Sequence, residues 1–435
     1  MDFRVEPSTL RDATVTVPGD KSISHRALML GSIANGSTDV DGFLAGEDCL
    51  ATLQAFRQMG VTIKQHDTTI FTVHGVGANG LSAPDSDLDL GNSGTAMRLM
   101  AGLMAGQAFD STLTGDASLN GRPMGRVITP LAQMGAAIDS DCDGTPPLQV
   151  LGGVRLHGIE YAMPMASAQV KSCILLAGMY ADGETTVIEP AVTRDHTERM
   201  LRTMGASVIS DRQRIGLNGG QGLTGCPIHV PADLSSAAFV ILAVLLANNA
   251  DVLIENVGVN PTRTGVIDVL QAMGGDISLE NQRTPGNEPV ADIRVRSSTL
   301  RGGDVDPALV SLAIDEFPVL FVAAAAAKGK SSFSGIGELR VKESDRIAAM
   351  AAGLRALGIE VDESDDAAIV HGGQFHGGSV ESFGDHRIAM SLAVAGCNAA
   401  DIVNVRSVDA VETSFPGFAT VLGQLGANIG VKSGT

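Results

Sequence analysis

The sequence predicts an α/β protein built from small α+β repeats, arranged as two domains of three repeats each. Three observations predict this fold. The chain has 435 residues, too many for one ordinary core, because a domain commonly holds roughly 150 residues. A segment made of an amphipathic stretch, a glycine and a short β-like run recurs six times. The 52 glycines are spread along the whole chain, which is typical of many tight turns and helix ends.

The six copies of this segment follow one another at a nearly constant spacing. Met, Leu or a similar residue precedes each glycine, and the glycine-to-glycine steps are 75, 70, 69, 84 and 68 residues. Glycine ends a helix readily in the left-handed conformation, after which the chain can enter a strand. A single match is weak, but six at this period indicate internal repetition. The glycines are Gly60, Gly135, Gly205, Gly274, Gly358 and Gly426.

Composition and charge exclude several kinds of partner. The 30 basic and 49 acidic residues give a net charge of −19, which repels nucleic acid and anionic membranes. The apolar runs at 237–247 and 319–327 are too short to span a bilayer and predict buried helices. No signal peptide is evident in residues 1–15. The five cysteines form neither a CxxC pair nor a zinc pattern, which predicts reduced, buried thiols in a cytoplasmic protein.

A literal GxGxxG pattern occurs at Gly75, Gly77 and Gly80. A dinucleotide site of the Rossmann type needs a helix directly after these glycines, to hold the pyrophosphate at its N-terminus. The residues that follow, LSAPDSDLDL, contain a proline and scattered aspartates and do not begin a helix. We therefore interpret the pattern as a turn.

Cationic side chains recur at glycine turns and helix starts in seven short motifs. Helix N-termini favour anions, and small residues let the backbone approach a ligand. Each motif alone has an ordinary alternative, such as a capped surface helix or a solvated charge run. Nine of the 30 cations in this acidic chain lie in such places, which predicts a deep cationic pocket for small, highly charged ligands. They are Lys21, Arg26, Arg98, Arg122, Lys171, Arg194, Lys342, Arg346 and Arg387.

Acidic residues in two of these motifs are candidates for acid–base chemistry. Asp315 and Glu316 precede a long apolar helix, so at least one is expected near a desolvated surface that raises its pKa toward that of a general base. The alternative is a helix N-cap that complements the dipole. Lys342 and Arg346 are four residues apart, which predicts one helical face, with Glu343 beside them.

The ordered motifs resemble the 5-enolpyruvylshikimate-3-phosphate synthase family from the first helix to near the C-terminus. They read VPGDKSISHRAL, LGNSGTAMRL, GRPM, PMASAQVKS, TRDHTERM, IDEFP, ELRVKESDR and FGDHRIAMS. The resemblance implies the enolpyruvyl transferase fold, in which two domains of three βαβαββ units each form an inside-out α/β barrel. The chain would start in one domain and return to it, giving residues 1–19 with 232–435 and residues 20–231. The active site would lie in the cleft between these domains.

The resemblance also implies the reaction and the residues that perform it. The enolpyruvyl group of phosphoenolpyruvate would pass to the 5-hydroxyl of shikimate 3-phosphate, with release of phosphate, through a tetrahedral intermediate. The product leads to chorismate and the aromatic amino acids. No metal or organic cofactor is implied, and a monomer is expected. Lys21, Asp315 and Glu343 would be catalytic: Lys21 would contact both substrates, Asp315 would accept the proton of the attacking hydroxyl, and Glu343 would be the acid–base group at the methylene carbon.

The resemblance also implies which residues bind each substrate. Those implied for shikimate 3-phosphate are Lys21, Ser22, Arg26, Ser167, Ala168, Gln169, Arg194, Asp315 and Lys342. Those implied for phosphoenolpyruvate are Lys21, Gly94, Arg122, Gln169, Arg346 and Arg387.

The chain departs from the family pattern in one place and mixes two patterns in another. Many members have a lysine before the late T-F-P segment, whereas Thr413 is the nearest equivalent here. SAQVKS and TRDHTERM resemble a subgroup often tolerant of glyphosate, whereas Gly94 is the small residue usual in sensitive members.

Two other functions compete with this interpretation. The enolpyruvyl transferase that acts on UDP-N-acetylglucosamine shares the repeat fold, but it typically carries a reactive cysteine near the GRP-like segment, and residues 113–122 contain none. A non-catalytic anion-binding protein would not need both Asp315 and Glu343.

Overall fold

The computed structural model describes residues 1–432, and short strands alternate with helices throughout. The strands are β1 (Asp2–Glu6), β2 (Ala13–Val15), β3 (Ala34–Asp41), β4 (Thr62–Gln65), β5 (Phe71–Val76), β6 (Leu88–Asp89), β7 (Ser111–Thr114), β8 (Ala137–Asp139), β9 (Leu148–Leu151), β10 (Glu160–Ala162), β11 (Glu184–Ile188), β12 (Val208–Asp211), β13 (Arg214–Asn218), β14 (Leu223–Thr224), β15 (Ile228–His229), β16 (Asp251–Gly258), β17 (Asp276–Arg283), β18 (Val290–Arg296), β19 (Lys330–Ser334), β20 (Val361–Ser364), β21 (Ala367–His371), β22 (Gly378–Glu381), β23 (Val403–Arg406) and β24 (Asn428–Lys432).

Most helices are short, and several begin within the sequence motifs. The helices are α1 (Lys21–Ser32), α2 (Glu47–Gln58), α3 (Gly94–Ala105), α4 (Ala117–Asn120), α5 (Gly125–Gln133), α6 (Ala168–Gly178), α7 (His196–Thr203), α8 (Leu234–Leu246), α9 (Gly265–Ala272), α10 (Val310–Ala313), α11 (Phe317–Ala326), α12 (Arg346–Ala356), α13 (His386–Cys397) and α14 (Phe418–Gln424). Within residues 1–432, four 3-10 helices cover Pro285–Asn287, Pro307–Leu309, Gly337–Val341 and Asp409–Thr413.

The described chain divides into two compact units. Unit 1 comprises Met1–Pro18, Pro231–Thr284 and the chain from Pro289 onwards, and unit 2 comprises Gly19–Val230 with Pro285–Glu288. The domain division expected from the sequence, with a ligand site shared by both domains, stays a prediction, and its last residues, 433–435, lie outside the described residues.

The described part of each unit contains three sheets. Those of unit 1 have the strand orders β22-β23-β1-β24, β17-β18-β16-β2 and β19-β21-β20. Those of unit 2 have the orders β10-β11-β13-β12, β6-β7-β9-β8 and β14-β3-β5-β4, with β15 also on β3. Strand β1 pairs with β23 and β24, so the first residues of the chain complete a sheet made by its last residues.

The sheets confirm the repeated βαβαββ unit. In the unit that runs from β10 to β13, β10 and β11 are parallel and are joined through α6. After α7, β12 and β13 form an antiparallel pair, and β13 also pairs antiparallel with β11. A parallel pair needs a crossover helix whereas an antiparallel pair needs only a turn, so this order follows from the alternation of helix and strand.

The six repeat glycines end helices as the sequence predicts. Each adopts a positive φ, between 86° and 102°, which only glycine adopts without a steric penalty. In every case a strand begins two or three residues later: β4, β8, β12, β17, β20 or β24. These glycines therefore set the boundary between helix and strand in all six repeats.

Buried helices form the centre of each unit. In unit 1, every residue of α8 from Leu234 to Leu245 is buried, as is α11 from Phe317 to Ala325, which confirms the helices expected from the apolar runs. In unit 2, α3 and α6 approach so closely that a Cβ on Gly102 would lie 2.1 Å from the carbonyl oxygen of Cys173. Sheets outside and helices inside give the inside-out arrangement.

Three further expectations concern the glycine pattern, the cysteines and membrane spans. Residues Gly77–Gly80 form a turn and no helix begins between Gly80 and Gly94, so the GxGxxG pattern is not a nucleotide-binding turn. All five cysteines are free, but the expectation that they are buried is wrong for Cys142, which is exposed, and for Cys226, which is half-buried. Among the described residues, no helix is long and apolar enough to cross a membrane.

Candidate active site

The N-terminal ends of α1, α3 and α6 meet in unit 2. On α1, His25 Nε2 lies 3.2 Å from Oγ of Ser93, the residue that caps α3. At the starts of α3 and α6, Gln169 Nε2 donates to Thr95 Oγ1 at 2.9 Å. Each helix start has backbone N–H groups without partners within the helix and a positive dipole end, so three such ends together favour an anion.

Lys21 is the first residue of α1, and its ammonium forms an ion pair with Asp48 of α2. The Lys21 side chain keeps 20% exposure, whereas that of Asp48 keeps only 6%. The Asp20 side chain caps the same helix by accepting from the backbone N–H of Ile23 at 2.8 Å. The ammonium is therefore held at a helix start and stays partly exposed.

Arg26 is buried one turn further along α1. Its Nε donates to Thr197 Oγ1 at 2.7 Å, and its Nη2 donates to Ser172 Oγ at 2.8 Å. Its Nη1 donates to the carbonyl oxygen of Ser22 at 2.9 Å. Burial lowers the pKa of Arg26 to about 10, and the nearby charge of Arg194 acts in the same direction. The guanidinium remains charged at neutral pH and is fixed by three partners.

Gly94, the first residue of α3, lies beneath two arginines. A Cβ at this position would be 2.9 Å from Nη1 of Arg98 and 3.2 Å from Nη1 of Arg122. Arg98 Nη1 also donates to Gln169 Oε1 at 2.7 Å, and Arg122 Nη2 donates to Asn92 Oδ1 at 2.5 Å. The absence of a side chain at Gly94 thus leaves room for two guanidinium groups at one helix start.

The start of α6 holds the next expected ligands. Ser167 caps this helix, with its Oγ accepting from the N–H of Val170 at 3.4 Å. Ala168 is the first helical residue, so its backbone N–H has no acceptor within the helix. Arg194 lies between β11 and α7, close enough for its charge to act on Arg26.

Lys171 does not line a pocket, so that expectation is wrong. Its side chain is 1% exposed, and its Nζ lies 2.8 Å from Glu198 Oε1 and 3.1 Å from Glu189 Oε2. A buried ammonium needs charged partners because desolvation is otherwise too costly, and this one faces the interior of unit 2.

In unit 1, Asp315 lies at the start of α11 between two cations. Its Oδ1 is 3.7 Å from Lys342 Nζ and 3.6 Å from Arg346 Nη1. Arg346 also pairs with Glu343, at 2.6 Å from Nη2 to Oε2, and with Asp385, at 2.8 Å from Nε to Oδ2. The two acids predicted to be catalytic therefore contact the same guanidinium.

Arg346 is almost fully buried, with 1% of its side chain exposed. Burial works against its charge, but Asp385, Glu343 and Asp315 more than compensate, so the pKa of Arg346 lies above its ordinary value. For Asp385, burial raises the pKa and the charge of Arg346 lowers it. The charge has the larger effect together with the other contacts, so the net shift of the pKa is downward. Both members of this pair stay ionised.

Lys342 and Arg346 do not share a helical face, so that expectation is wrong. The 3-10 helix Gly337–Val341 ends at Lys342, whose ψ of −151° is extended. Helix α12 begins only at Arg346, where Asp345 caps it by accepting from Ala348 N–H at 3.0 Å. A capping aspartate inside the charge run breaks the run into two elements.

Arg387 is the second residue of α13, and its Nη1 donates to the backbone carbonyl oxygen of Asp315 at 3.0 Å. The same nitrogen lies 3.8 Å from Glu316 Oε1, which accepts from Ser235 Oγ. Glu316 makes no side-chain cap on α11. It belongs instead to a buried network with Arg263, whose Nη2 is 3.6 Å away.

The structure brings the predicted residues together in two groups, one in each unit. The group in unit 2 comprises Lys21, Ser22, Arg26, Gly94, Arg122, Ser167, Ala168, Gln169 and Arg194. The group in unit 1 comprises Asp315, Lys342, Glu343, Arg346 and Arg387. Thr413 ends a 3-10 helix and donates its hydroxyl to the Ala410 carbonyl oxygen at 2.7 Å, so it supplies no cation.

Sequence reasoning missed the partners that hold these groups. Asp48 and Arg263 lie outside the seven motifs, and no local pattern distinguishes them from other charged residues. Asp385 lies within FGDHR, where an aspartate directly before an apolar helix signals an N-cap. It caps α13 and binds Arg346 as well.

Comparisons with known proteins identify the family of this chain. The family model described as EPSP synthase (3-phosphoshikimate 1-carboxyvinyltransferase) matches residues 5–422. A 3-phosphoshikimate 1-carboxyvinyltransferase of Hydrogenovibrio crunogenus is 54% identical, over 99% of this chain and 98% of the relative. That of Alkalilimnicola ehrlichii is 56% identical, over 98% of this chain and 96% of the relative.

Solved structures extend the likeness to the whole fold. The enolpyruvyl transferase NikO from Streptomyces tendae has a TM-score of 0.78 at 17% identity over 98% of both chains, which shows the fold alone. This chain therefore shares the fold of that enolpyruvyl transferase. The EPSP synthase structure from Acinetobacter baumannii has a TM-score of 0.89 at 50% identity, over 99% of this chain and 100% of that one. The chain belongs to the EPSP synthase family, whose activity is that of a 3-phosphoshikimate 1-carboxyvinyltransferase.

Proposed function

We propose that this enzyme transfers the enolpyruvyl group of phosphoenolpyruvate to the 5-hydroxyl of shikimate 3-phosphate, and that Asp315 is its general base. The observation that carries the assignment is the position of the Asp315 carboxylate, 3.7 Å from Lys342 and 3.6 Å from Arg346. Two nearby cations favour the ionised form, which is the form that accepts a proton. The backbone of Asp315 is also tied to Arg387, so the base is held in place before substrate binds.

Shikimate 3-phosphate has a dianionic phosphate and hydroxyl groups, which matches the helix starts of unit 2. Arg26, Arg194 and the N–H of Ala168 would bind the phosphate, and Lys342 would reach the same side. The hydroxyls of Ser22 and Ser167 and the amide of Gln169 would hold the ring hydroxyls. Support comes from the burial and fixed geometry of Arg26, since charge-assisted hydrogen bonds are strong where water is excluded.

Phosphoenolpyruvate would be bound by cations of both units. Arg122 lies beside Gly94, whereas Arg346 and Arg387 lie beside Asp315. Lys21 at the start of α1 would contact both substrates. This mode of binding requires that both units contribute residues to one site.

The reaction has an addition half and an elimination half. In the addition, the 5-hydroxyl oxygen attacks C2 of phosphoenolpyruvate, Asp315 takes the hydroxyl proton, and C3 gains a proton to become a methyl group. In the elimination, the methyl group loses a proton, the C2–O bond to phosphate breaks, and phosphate leaves with the proton held by Asp315. The double bond forms again, and no net oxidation occurs.

Glu343 is proposed as the group that exchanges protons with C3. Glu343 would give C3 a proton in the addition and then, as the carboxylate beside Arg346 at 2.6 Å, take a proton back from the methyl group in the elimination. Lys21 is the second candidate for the donor in the addition, because an ammonium can donate without prior protonation. A Glu343→Gln variant separates the two: slow deuterium uptake at C3 from solvent assigns the exchange to Glu343, and unchanged uptake assigns it to Lys21.

The acceptor specificity tests the proposal. Purified enzyme is given phosphoenolpyruvate alone, with shikimate 3-phosphate, or with UDP-N-acetylglucosamine, and phosphate release is followed. Release only with shikimate 3-phosphate is expected. Release with the nucleotide sugar would instead support the related enolpyruvyl transferase, and binding without release in any mixture would support a non-catalytic protein.

We further infer that the enzyme works as a monomer in the cytoplasm. Five free thiols support a reducing compartment. Light scattering after gel filtration tests the monomer, for which the mass should be near 44.7 kDa at all loading concentrations.

A further inference from the structure

Three charged side chains are buried together in unit 2, beside the Arg194 segment. Lys171, Glu189 and Glu198 have side chains only 1%, 2% and 2% exposed. The ammonium lies between the two carboxylates, at 2.8 Å from Glu198 and 3.1 Å from Glu189. Burying such a group is costly and gives little net stability compared with apolar packing, so its presence calls for another explanation.

Glu189 and Lys171 hold Thr193, the residue directly before Arg194, through three hydrogen bonds. Glu189 Oε2 accepts from Thr193 Oγ1 at 2.7 Å, and Glu189 Oε1 accepts from Thr193 N–H at 3.3 Å. Lys171 Nζ donates to the Thr193 carbonyl oxygen at 3.3 Å. The backbone on both sides of Thr193 is thus fixed by buried charges, although the segment 189–195 is neither helix nor strand.

The same turn of α6 also holds Arg26. Ser172, next to Lys171, accepts from Arg26 Nη2 at 2.8 Å and from Thr197 Oγ1 at 2.7 Å. Burial lowers the pKa of Arg26, and the charge of Arg194 acts in the same direction because the two guanidinium groups repel one another. Two cations that lie close together before a phosphate binds must be held in place by neighbouring residues, because electrostatic repulsion would otherwise separate them.

We propose that Lys171 and Glu189 are positioning residues for Arg194, acting through Thr193, and that they set the affinity for the phosphate of shikimate 3-phosphate. This inference rests on the proposed function, in which Arg194 is a ligand of that phosphate. Preorganisation of this kind improves binding because the cost of ordering the segment is met during folding.

The mildest test removes one hydrogen bond and leaves the buried charges paired. Lys171→Met would leave two buried carboxylates without a cation and is expected to impair folding, so the test uses Thr193→Val. We expect this variant to raise KM for shikimate 3-phosphate about tenfold, as for the loss of one charge-assisted hydrogen bond. KM for phosphoenolpyruvate and kcat should change less than about twofold, because the lost hydrogen bond acts only on binding of shikimate 3-phosphate.

Two matched variants separate positioning from general damage. Thr193→Ser keeps the hydroxyl and should restore KM for shikimate 3-phosphate. Thr186→Val removes a similar bond in the same unit, from a buried threonine hydroxyl to Glu184 Oε1 at 3.0 Å, and should leave KM unchanged. Equal rises in the Thr193→Val and Thr186→Val variants would overturn the proposal.

A double-mutant cycle with Arg194→Ala identifies the residue through which Thr193 acts. If Thr193 acts by placing Arg194, Thr193→Val should add almost nothing to the loss in Arg194→Ala. Additive losses would overturn the positioning role while leaving Arg194 as a ligand. An Arg194→Ala variant with wild-type KM would instead overturn the proposed ligand role of Arg194, and the inference would fail with it.

Discussion

Asp315 Oδ1 lies 3.6 Å from Nη1 of Arg346, a guanidinium that is itself buried and bound to Asp385. Because of this arrangement, a substitution at Asp315 should affect the reaction without unfolding the site. Arg346 keeps two other carboxylate partners when Asp315 is changed, so an Asp315 variant should fold. The base can therefore be tested without destroying the cation beside it.

Asp315→Asn should lower kcat by about 10²–10⁴-fold, the usual contribution of a general base. Its effect on the Kd of shikimate 3-phosphate should be much smaller, because a base acts mainly in the transition state. Single-turnover kinetics and calorimetric titration measure the two quantities. Asp276→Asn, at a half-exposed acid paired with Arg296, is the control and should be neutral. If binding falls as much as turnover, Asp315 is only a ligand.

Lys21→Met should lower kcat/KM by about 10²–10³-fold, as for loss of an electrostatic group at a reacting centre. The variant should also lose about 1–3 kcal/mol of unfolding free energy, because Asp48 is left buried without its partner. The double variant Lys21→Met, Asp48→Asn should regain the stability and stay inactive. Recovery of turnover with stability would show that Lys21 has a structural role only.

Gly94→Ala should raise the inhibition constant of glyphosate more than it raises KM for phosphoenolpyruvate. The new methyl group would lie 2.9 Å from Arg98 Nη1 and 3.2 Å from Arg122 Nη1, so both guanidiniums must move, and the longer ligand should need the lost room more. A clash of about 1–3 kcal/mol corresponds to about ten- to a hundredfold. Gly125→Ala meets no atom within 4 Å and is the control. Equal shifts for inhibitor and substrate would contradict this role of Gly94.

His25 should remain neutral in the folded protein down to acid pH. Burial, with the charges of Lys21 and Arg26, lowers the pKa of His25 to about 3, while the unfolded chain takes up this proton near the ordinary value of about 6.5. The stability contribution of neutral His25 is therefore complete above about pH 6.5 and is lost as the pH falls toward 3.

Two measurements check the state of His25. Its ring nitrogen shifts, assigned with a His25→Gln variant, should be constant between pH 7 and pH 4.5. The free energy of unfolding in this range should depend on pH less steeply in the variant, by ~1.4 kcal/mol per pH unit for one proton. A titration of His25 near pH 6 would contradict the account.

The repeats could be predicted from local patterns, because the end of each repeat helix depends only on residues that are neighbours in sequence. A glycine after an amphipathic stretch is sufficient to end a helix, and all six repeat glycines do so. The same holds for the start of α1, where Asp20 and Lys21 are adjacent in sequence. Such signals need no knowledge of the rest of the chain.

The partners of the site cations could not be predicted because they come from distant segments. Arg26 binds Thr197, which is 171 residues away, and Arg346 binds Asp385, 39 residues away. The direction in which a helical cation points also depends on packing. Lys171 and Gln169 lie in the same turn of α6, yet Lys171 faces Glu189 and Glu198 whereas Gln169 contacts Arg98.

The central claim is enolpyruvyl transfer by addition and elimination, and nuclear magnetic resonance in D₂O tests it most directly. Wild-type enzyme with both substrates should release one phosphate for each enolpyruvyl product, seen by phosphorus resonances. The transient methyl group takes up a solvent deuteron, so the product methylene should carry deuterium, seen by proton resonances. A product whose methylene carries no deuterium, or phosphate released without shikimate 3-phosphate, would contradict the account.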